Sequence, residues 1–347
     1  MPIDAKQQES APVLRASRLD NAHDLGLVRT LFELNGFPRS DNETAWIYEP
    51  YHGEAAHGVL AESGGNVAAL YATVPARFKC GDRTVLAAQS LDTMVDARFR
   101  GLGLFTRMAR DAYARMTEHG VSFVYGFPNG NSFHGFVSKL DWSALDPMPF
   151  LFRPLDTGYA LEKISPMLGR IAKVRIPVLG AHGFSQELHA LPQADDVDAL
   201  WQAFSTRLRV ARVRDHAFLD KRYARHPRVR YRYRACYQDG RLAGLIIYCV
   251  EDKHGGRIGY VMELMCLPGV DQLASELLAF AAKHRKVIWP GRRELITYAT
   301  VVGFLPVPTR LRPIELHFGF RALAEPASAE LSHRENWYLS YSDSDTV

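Results

Sequence analysis

The residues whose types and spacing are best suited to bind a ligand form a short glycine turn flanked by arginines. Arg98-Phe-Arg-Gly-Leu-Gly103 follows a segment that predicts a β-strand, and the apolar spacing of the residues after it predicts an α-helix. Gly101 and Gly103 let backbone N–H groups converge without a Cβ in the way, and the start of the next helix adds partial positive charge. With Arg98 and Arg100 as cationic donors, the turn has the chemistry to wrap a diphosphate.

Two familiar phosphate-binding loops do not fit this stretch. No Lys-Ser/Thr pair follows the second glycine, as it would in a Walker loop, and the third glycine and downstream acid of a dinucleotide fold are missing. The pattern Arg98-x-x-Gly-x-Gly instead resembles the acyl-CoA pyrophosphate loop of the GNAT (Gcn5-related N-acetyltransferase) superfamily.

A second segment strengthens this resemblance. Val121 to Phe127 predicts the next strand, Asn129 follows it, and an amphipathic stretch from Ser132 to Leu140 closes at Asp141-Trp142. Together the two segments resemble a branch of bacterial acyltransferases of surface-sugar and small-molecule biosynthesis. The resemblance implies an α+β GNAT fold, in which helices flank a mixed central sheet and a splayed parallel strand pair receives the thioester.

The resemblance also implies which residues hold acetyl-CoA or another acyl-CoA. The backbone of Met94 and Val95 would contact the pantetheine arm, and Asn129 would bond that arm or order the end of its strand. The pyrophosphate would lie on the glycine turn, to which we assign Arg98, Phe99, Arg100, Gly101, Leu102, Gly103 and Leu104.

Asp92 is the first candidate for the general base. Period-two spacing predicts that Ser90, Asp92 and Met94 share one face of the strand that ends at the thioester, so a carboxylate would point toward the acyl group. The alternative is a strand-end aspartate that caps the following loop.

The general acid is less well defined. Many GNAT enzymes use a tyrosine on the last helix, where this chain has Phe136. Ser132, His134 and Tyr125 are the substitutes. Histidine is the only one of these residue types that ordinarily exchanges protons near neutral pH, although a histidine there also fits an exposed surface position.

The length of 347 residues predicts two units. We expect a disordered segment over 1–17, an acyl-CoA-binding catalytic domain over 18–152, a connector over 153–194 and a second domain over 195–347. A fragment that ends near Leu191 is therefore expected to keep CoA binding.

The second domain repeats the order of strand hairpin, strand and helix. Cys266-Leu-Pro-Gly-Val-Asp-Gln272 stands where the arginine and glycine turn would be, and Asp271 would repel a phosphate. We therefore predict a degenerate GNAT-like domain that shapes the acceptor site. Its last residues, Ser340 to Val347, are either a frayed tail or an acidic segment that folds back.

Composition narrows the partners. A net charge of +4 and a pI near 8.8 favour polyanionic small molecules over a nucleic-acid surface. No segment reaches the ~18 apolar residues of a membrane span, and no signal-peptide core or metal-ligand spacing is present, so we expect a cytoplasmic protein without a metal. Four dispersed cysteines predict buried, reduced thiols.

These observations favour an acyl-CoA-dependent N-acyltransferase that acts on the amine of a small acceptor. A nucleotide-linked amino sugar is the favoured acceptor, on the strength of the resemblance alone. One alternative is a broad-specificity acetyltransferase for antibiotics or polyamines, which would need an acidic pocket. The other is a non-catalytic acyl-CoA-binding protein, which Phe136 in place of the tyrosine acid would favour.

Overall fold

A computed structural model describes most of the chain. The described residues are 11–148, 150–154, 167, 184–253, 256–270, 272–281, 286–289, 304–307, 312, 316–324 and 328–344. Within the segment expected to be disordered, residues 1–10 lie outside this set, and Val13–Ser17 form a paired strand. The prediction of disorder was therefore wrong for Val13–Ser17, where alternating apolar residues join a sheet edge.

In chain order the first part contains β1 (Val13–Ser17), α1 (Ala22–Leu34), α2 (Asp41–Tyr48), β2 (His57–Ser63), β3 (Asn66–Cys80), β4 (Arg83–Val95), α3 (Leu104–Glu118), β5 (Phe123–Gly126), α4 (Gly130–Leu140), β6 (Ser143–Leu145) and β7 (Leu151–Pro154). The rest contains β8 (Ser185–Leu188), α5 (Ala194–Ser205), β9 (Val210–Arg212), α6 (His216–Leu219), β10 (Arg232–Gln238), β11 (Arg241–Lys253), β12 (Gly256–Cys266), α7 (Gln272–Ala281), β13 (Lys286–Trp289), β14 (Leu305–Pro306), β15 (Phe318–Ala322), α8 (Ser328–Leu331) and β16 (Trp337–Tyr338).

The chain divides into two compact units that are not contiguous in sequence. The first comprises Met1–Phe78, Thr84–Leu145 and His317–Ser332, and the second comprises Lys79–Arg83, Asp146–Leu316 and His333–Val347. Strand β15 therefore belongs to the first unit, although it lies near the end of the chain. Strand β7 belongs to the second unit, although we had placed it in the catalytic domain and its connector.

The first unit is built on a sheet in the order β1-β2-β3-β4-β5-β15-β6. Strands β4 and β5 are parallel, whereas β15 is antiparallel to both β5 and β6. Helix α3 forms because its apolar residues, among them Met108, Ala112 and Met116, recur at helical spacing and pack on one face of the sheet. Helices α1 and α2 supply the apolar layer that includes Leu31 and Tyr48.

The second unit has a sheet of the same pattern. Its order is β8-β10-β11-β12-β13-β7-β14, in which β12 and β13 are parallel and β7 is antiparallel to both of its neighbours. In each unit the fourth and fifth strands are the parallel pair and are joined by a helix. In each unit the sixth strand comes from a distant part of the sequence.

This exchange of sixth strands corrects one expectation. A fragment that ends near Leu191 would lack β15, which pairs with β5 through Gly319 and Phe320. The first unit would then be incomplete, because its sheet would have no strand between β5 and β6. Such a fragment does not test CoA binding by an intact domain.

The buried cysteines and the end of the chain also have defined places. Cys80, Cys236, Cys249 and Cys266 are buried free thiols, as the sequence predicted. Ser340 to Ser344 are buried within the second unit, so these residues are not a frayed tail. None of the helices in the described ranges is long and apolar enough to span a membrane.

Candidate functional site

The glycine turn joins β4 to α3 and is open to the outside. Gly101 and Gly103 have φ values of +83° and +69°, in the left-handed region that favours glycine. A Cβ added at either position would meet no atom within 4 Å. Because Gly103 precedes α3 and offers no side-chain cap, the first N–H groups of the helix remain free for an anion.

The two arginines of the turn have different roles. The Arg98 side chain donates to Asp96, with Nε 3.1 Å from Oδ1 and Nη2 3.0 Å from Oδ2, and these bonds hold the pKa of that carboxyl below its usual value. Arg98 therefore stabilises the turn. Arg100 is exposed, and its Nε lies 3.5 Å from the Val95 carbonyl oxygen. Its guanidinium is the better placed of the two for an incoming phosphate.

The apolar residues of the turn anchor it to the unit. Phe99 and Leu104 are 3% and 2% exposed and pack with the residues of α3. Their side chains therefore belong to the core, and only their backbone can serve the cofactor contacts assigned to them. Leu102 is 52% exposed at the tip of the turn.

Strands β4 and β5 separate beside this turn. Their parallel register runs from Ala87 opposite Phe123 to Gln89 opposite Tyr125, after which β4 continues to Val95 while β5 ends at Gly126. Backbone groups that leave a ladder need other partners. An inserted thioester carbonyl could accept from an N–H group there, which is the polarising interaction that acyl transfer requires.

The side chains of β4 do not alternate as predicted. Ser90 faces α3, since it bonds Tyr71 and lies beside Gly126, whereas Asp92 faces α1 and α2. In a regular strand, side chains that are two residues apart lie on the same face of the sheet. The prediction of a shared face was wrong, and the side-chain alternation of β4 breaks between Ser90 and Asp92.

Asp92 is the hub of a buried polar cluster. Its carboxylate is 4% exposed and accepts from Arg39, with Nη2 2.8 Å from Oδ1 and Nη1 2.5 Å from Oδ2. The Tyr48 hydroxyl donates a third hydrogen bond, and burial together with the Asp92 charge raises the pKa of Tyr48 well above its usual value. Asp92 thus joins β4 to α2 and to the residues before it.

The other candidates lie in separate surroundings. Asn129 caps α4, since its Oδ1 accepts from the backbone N–H groups of Asn131 and Ser132 and from the Ser132 hydroxyl. His134 is exposed on α4. Tyr125 is fully buried, and its hydroxyl lies 3.4 Å from Gln89 Oε1. The structure does not assemble these residues into a catalytic group.

His317 is a titratable residue that the sequence did not point to. It precedes β15, and its ring stacks on Phe133 of α4 with centroids 4.3 Å apart. Because Gly319 lies opposite Gly126, the register carries His317 past the end of β5, where the splayed pair opens. No three His, Cys, Asp or Glu side chains of the described residues converge as a metal site would require.

Comparisons with known proteins agree with this geometry. Residues 29–145 match the family model of the acetyltransferase (GNAT) domain. This part of the chain is a GNAT domain. The match confirms the α+β GNAT fold and the acyl-CoA-dependent acyltransferase class that the glycine turn predicted. A search of curated proteins by sequence found no match.

Solved structures resemble the chain over most of its length. A GCN5-related N-acetyltransferase from Anabaena variabilis has a TM-score of 0.67 at 13% identity, and the match covers 92% of this chain and 75% of the chain of that protein. A probable N-acyltransferase from Enterococcus faecalis has a TM-score of 0.64 at 10% identity, covering 93% and 75%. N-myristoyltransferase from Saccharomyces cerevisiae, with bound myristoyl-CoA, has a TM-score of 0.58 at 12% identity, covering 90% and 82%. At these identities the likeness concerns the fold.

Proposed function

We propose that the chain is an N-acyltransferase that moves an acyl group from CoA to the amine of a small acceptor. The observation that supports this most directly is the open glycine turn beside the splayed β4 and β5 pair. One feature can bind a diphosphate, and the other can polarise a thioester carbonyl. A GNAT domain that had lost donor binding would have no reason to retain both.

The reaction forms one bond and breaks another. The acceptor nitrogen attacks the thioester carbon, the carbon–sulfur bond breaks, and the thiolate leaves as CoA. The attacking amine loses a proton to a base, and the thiolate takes one up. His317 is our candidate for proton transfer, because it lies beyond the end of β5 and histidine is the residue type that most often serves as a general acid or base.

Asp92 has a different part in this proposal. Its oxygens already accept three hydrogen bonds, from Arg39 and Tyr48. We therefore assign it to orienting groups around the acceptor rather than to removing the proton. Ser132, which belongs to the cap of α4, and His134, which is exposed, are weaker candidates for acid or base.

An assay with panels of donors and acceptors tests the proposal and identifies both substrates. Purified protein is incubated with acetyl-CoA, a medium-chain acyl-CoA and myristoyl-CoA, and the long chain is included because one structural neighbour holds myristoyl-CoA. The acceptor panel contains nucleotide-linked amino sugars, free amino sugars, amino acids, polyamines and aminoglycosides. Free thiol reports turnover, and titration calorimetry reports CoA binding.

Each outcome separates the alternatives. Acceptor-dependent thiol release with a small amine supports the proposal, and mass spectrometry of the product shows whether nitrogen carries the acyl group. Preference for polyamines or aminoglycosides supports the broad-specificity enzyme instead. Tight CoA binding with no thiol release for any pair overturns the proposal in favour of a non-catalytic acyl-CoA-binding protein.

A further inference from the structure

The two units share a short sequence pattern that the topological repeat brings to equivalent positions. Arg39 precedes the residue that caps α2, and Arg214 precedes the residue that caps α6. Nine residues after each arginine stands a fully buried tyrosine, Tyr48 in the first unit and Tyr223 in the second.

A buried carboxylate completes the pattern in each unit. Asp92 on β4 and Glu263 on β12 each lie three residues before the last residue of the fourth strand. Each also follows an irregularity. Strand β12 has a register shift at Met262, and β4 breaks its alternation at Leu91.

The arginine and the carboxylate form an ion pair in both units. Arg39 makes two hydrogen bonds to Asp92, and Arg214 Nε lies 2.8 Å from Glu263 Oε2. An arginine before the second helix thus pairs with a carboxylate near the end of the fourth strand twice in the chain. The repeat makes the second pair a guide to what the first can bind.

In the second unit a peptide segment sits on the pair. Asp343 Oδ2 lies 2.5 Å from Arg214 Nη2, and the hydroxyls of Ser340 and Ser342 both lie 2.9 Å from Glu263 Oε2. The side chains of Arg214, Glu263 and Asp343 are all 0% exposed. This arginine therefore holds two carboxylates at once, one from the strand and one from the segment.

In the first unit the arginine holds one carboxylate and reaches the surface. The Arg39 side chain is 20% exposed and stacks on Phe32, with 3.8 Å between Cζ and the ring centroid. Of the five guanidinium N–H donors, Asp92 takes two and the adjacent Tyr48 hydroxyl is placed to take one. At least two donors remain for a further acceptor of hydrogen bonds.

Arg39 and the helix that follows the glycine turn lie on opposite faces of the sheet. The glycine turn leads into α3, which packs on one face, whereas Asp92 and Arg39 lie on the face covered by α1 and α2. Asp92 stands three residues beyond Gln89, the last β4 residue paired with β5, which is about 10 Å along a strand. A small molecule bound at Arg39 can extend from there to the splayed gap.

We infer that the acceptor of the proposed acyl transfer carries a carboxylate near its amine, and that Arg39 binds this carboxylate as Arg214 binds Asp343. The inference rests on the proposed function for the identity of the second substrate. Asp92 is then a positioning residue, because it fixes the guanidinium that contacts the acceptor.

The test compares amines that differ only in the carboxylate. Phenylalanine is paired with phenethylamine, and alanine with ethylamine, and binding to CoA-saturated protein is measured by saturation-transfer NMR alongside thiol release. We expect the carboxylate-bearing member of at least one pair to bind at least tenfold more tightly. Equal binding within both pairs would overturn the inference.

Variants locate the effect at Arg39. Arg39→Gln is expected to raise KM for the carboxylate-bearing acceptor by about 10-fold to 100-fold, with a smaller change in kcat and no change for the decarboxylated partner. The double variant R39Q/D92N removes both charges, so it avoids the unpaired buried carboxylate that could unfold the single variant. Arg29→Gln on α1, where Arg29 pairs with Asp41 at the surface, is the matched control.

The failure of this inference is distinct from failure of the proposed function. Thiol release without carboxylate preference leaves the N-acyltransferase in place and removes the role of Arg39. Selective binding of carboxylate-bearing amines without thiol release supports the binding role and contradicts the catalysis. A loss of binding in the Arg29 variant equal to that in the Arg39 variants would also contradict the assignment.

Discussion

The two units have the same strand order and the same arginine–carboxylate pair, yet only one has a turn suited to a diphosphate. In the first unit Arg100, Gly101 and Gly103 leave an open turn before α3. In the second the strand leads into Leu267 to Val270, where one glycine, Gly269, has a positive φ of +83°. Asp271, which we expected to repel phosphate, lies outside the described residues. We therefore expect the turn, rather than strand topology, to decide which unit binds the donor.

The units also differ in how far solvent reaches the buried arginine–carboxylate pair. The second unit covers its pair with residues of the chain itself, so the pair contributes to stability and has no access to ligands. The first leaves a fifth of the Arg39 side chain exposed. We therefore expect access, rather than the identity of the paired residues, to decide whether such a pair binds a ligand.

The largest expected effect is a loss of CoA affinity when the turn of the first unit is changed. Gly101→Leu should reduce CoA affinity at least 100-fold, because a side chain would fill the open side of the turn and the backbone would lose its ligand-binding geometry. Calorimetric titration with CoA measures this directly.

Gly269→Leu is the matched control for backbone strain. Both glycines have a φ of +83° and open space around them, so the strain of about 1–3 kcal/mol is shared. CoA affinity should stay at the wild-type value in this variant. Two CoA sites per chain, or equal losses in both variants, would show that the units are not distinguished by their turns.

The next effect comes from the buried carboxylates. Asp92→Asn should lower kcat/KM for the acceptor by roughly 10²-fold, through loss of the group that orients the acceptor site. Glu263→Gln should leave kcat/KM unchanged and instead lower the free energy of unfolding by about 3 kcal/mol, since its arginine is fully buried. Steady-state kinetics and urea unfolding are measured on both variants.

The comparison fails if the two variants behave alike. Equal losses of stability with wild-type kinetics would assign both pairs to the core. Reduced CoA affinity in Asp92→Asn would instead place that residue beside the donor.

The smallest expected effect is on the loss of folding stability at acidic pH. Burial, followed by the charge of Arg222, lowers the pKa of His226 in the second unit to about 4. Burial, followed by His119, lowers the pKa of His57 in the first. In the unfolded chain each histidine binds a proton near pH 6.5, whereas in the folded protein it stays neutral to lower pH. The contribution of each neutral ring to the free energy of unfolding is therefore fully present above pH 6.5. It is lost as the pH falls toward the folded value.

Unfolding midpoints between pH 7.5 and pH 4.5 test this order. His226→Gln should remove more of the acid-induced loss of stability than His57→Gln. The backbone N–H groups of Arg228 and Val229 donate to His226 Nδ1, which agrees with a neutral ring. A larger effect of the His57 variant would reverse the assignment of the more acid-sensitive unit.

Local patterns were sufficient to predict the turn and its neighbours. The glycines, the strand before them and the amphipathic helix after them lie within one short stretch, and each leaves a local signature in composition or spacing. The parallel pair and its separation came from resemblance to a family rather than from the residues themselves.

What the sequence could not supply depends on contacts between distant residues. A one-residue irregularity at Leu91 leaves the apolar pattern nearly unchanged, yet it turns Asp92 to the opposite face. Arg39 and Asp92 are separated by more than fifty residues. An arginine followed nine residues later by a tyrosine was the available signal, but the sequence contains this spacing four times, at Arg39, Arg214, Arg222 and Arg228. The pairs that begin at Arg39 and Arg214 stand out only once the two sheets are superposed strand by strand.

The exchange of sixth strands has a consequence for biosynthesis. During translation the nascent chain presents β5 and β6 long before Phe318–Ala322, the strand that bridges them, has been made. The first unit is therefore completed only when β15 has been made, although most of its residues emerge early, and its unfinished sheet edge is exposed to other chains in the meantime. Premature termination anywhere before β15 should therefore yield an aggregation-prone product, because β5 and β6 then lack the strand that bridges them.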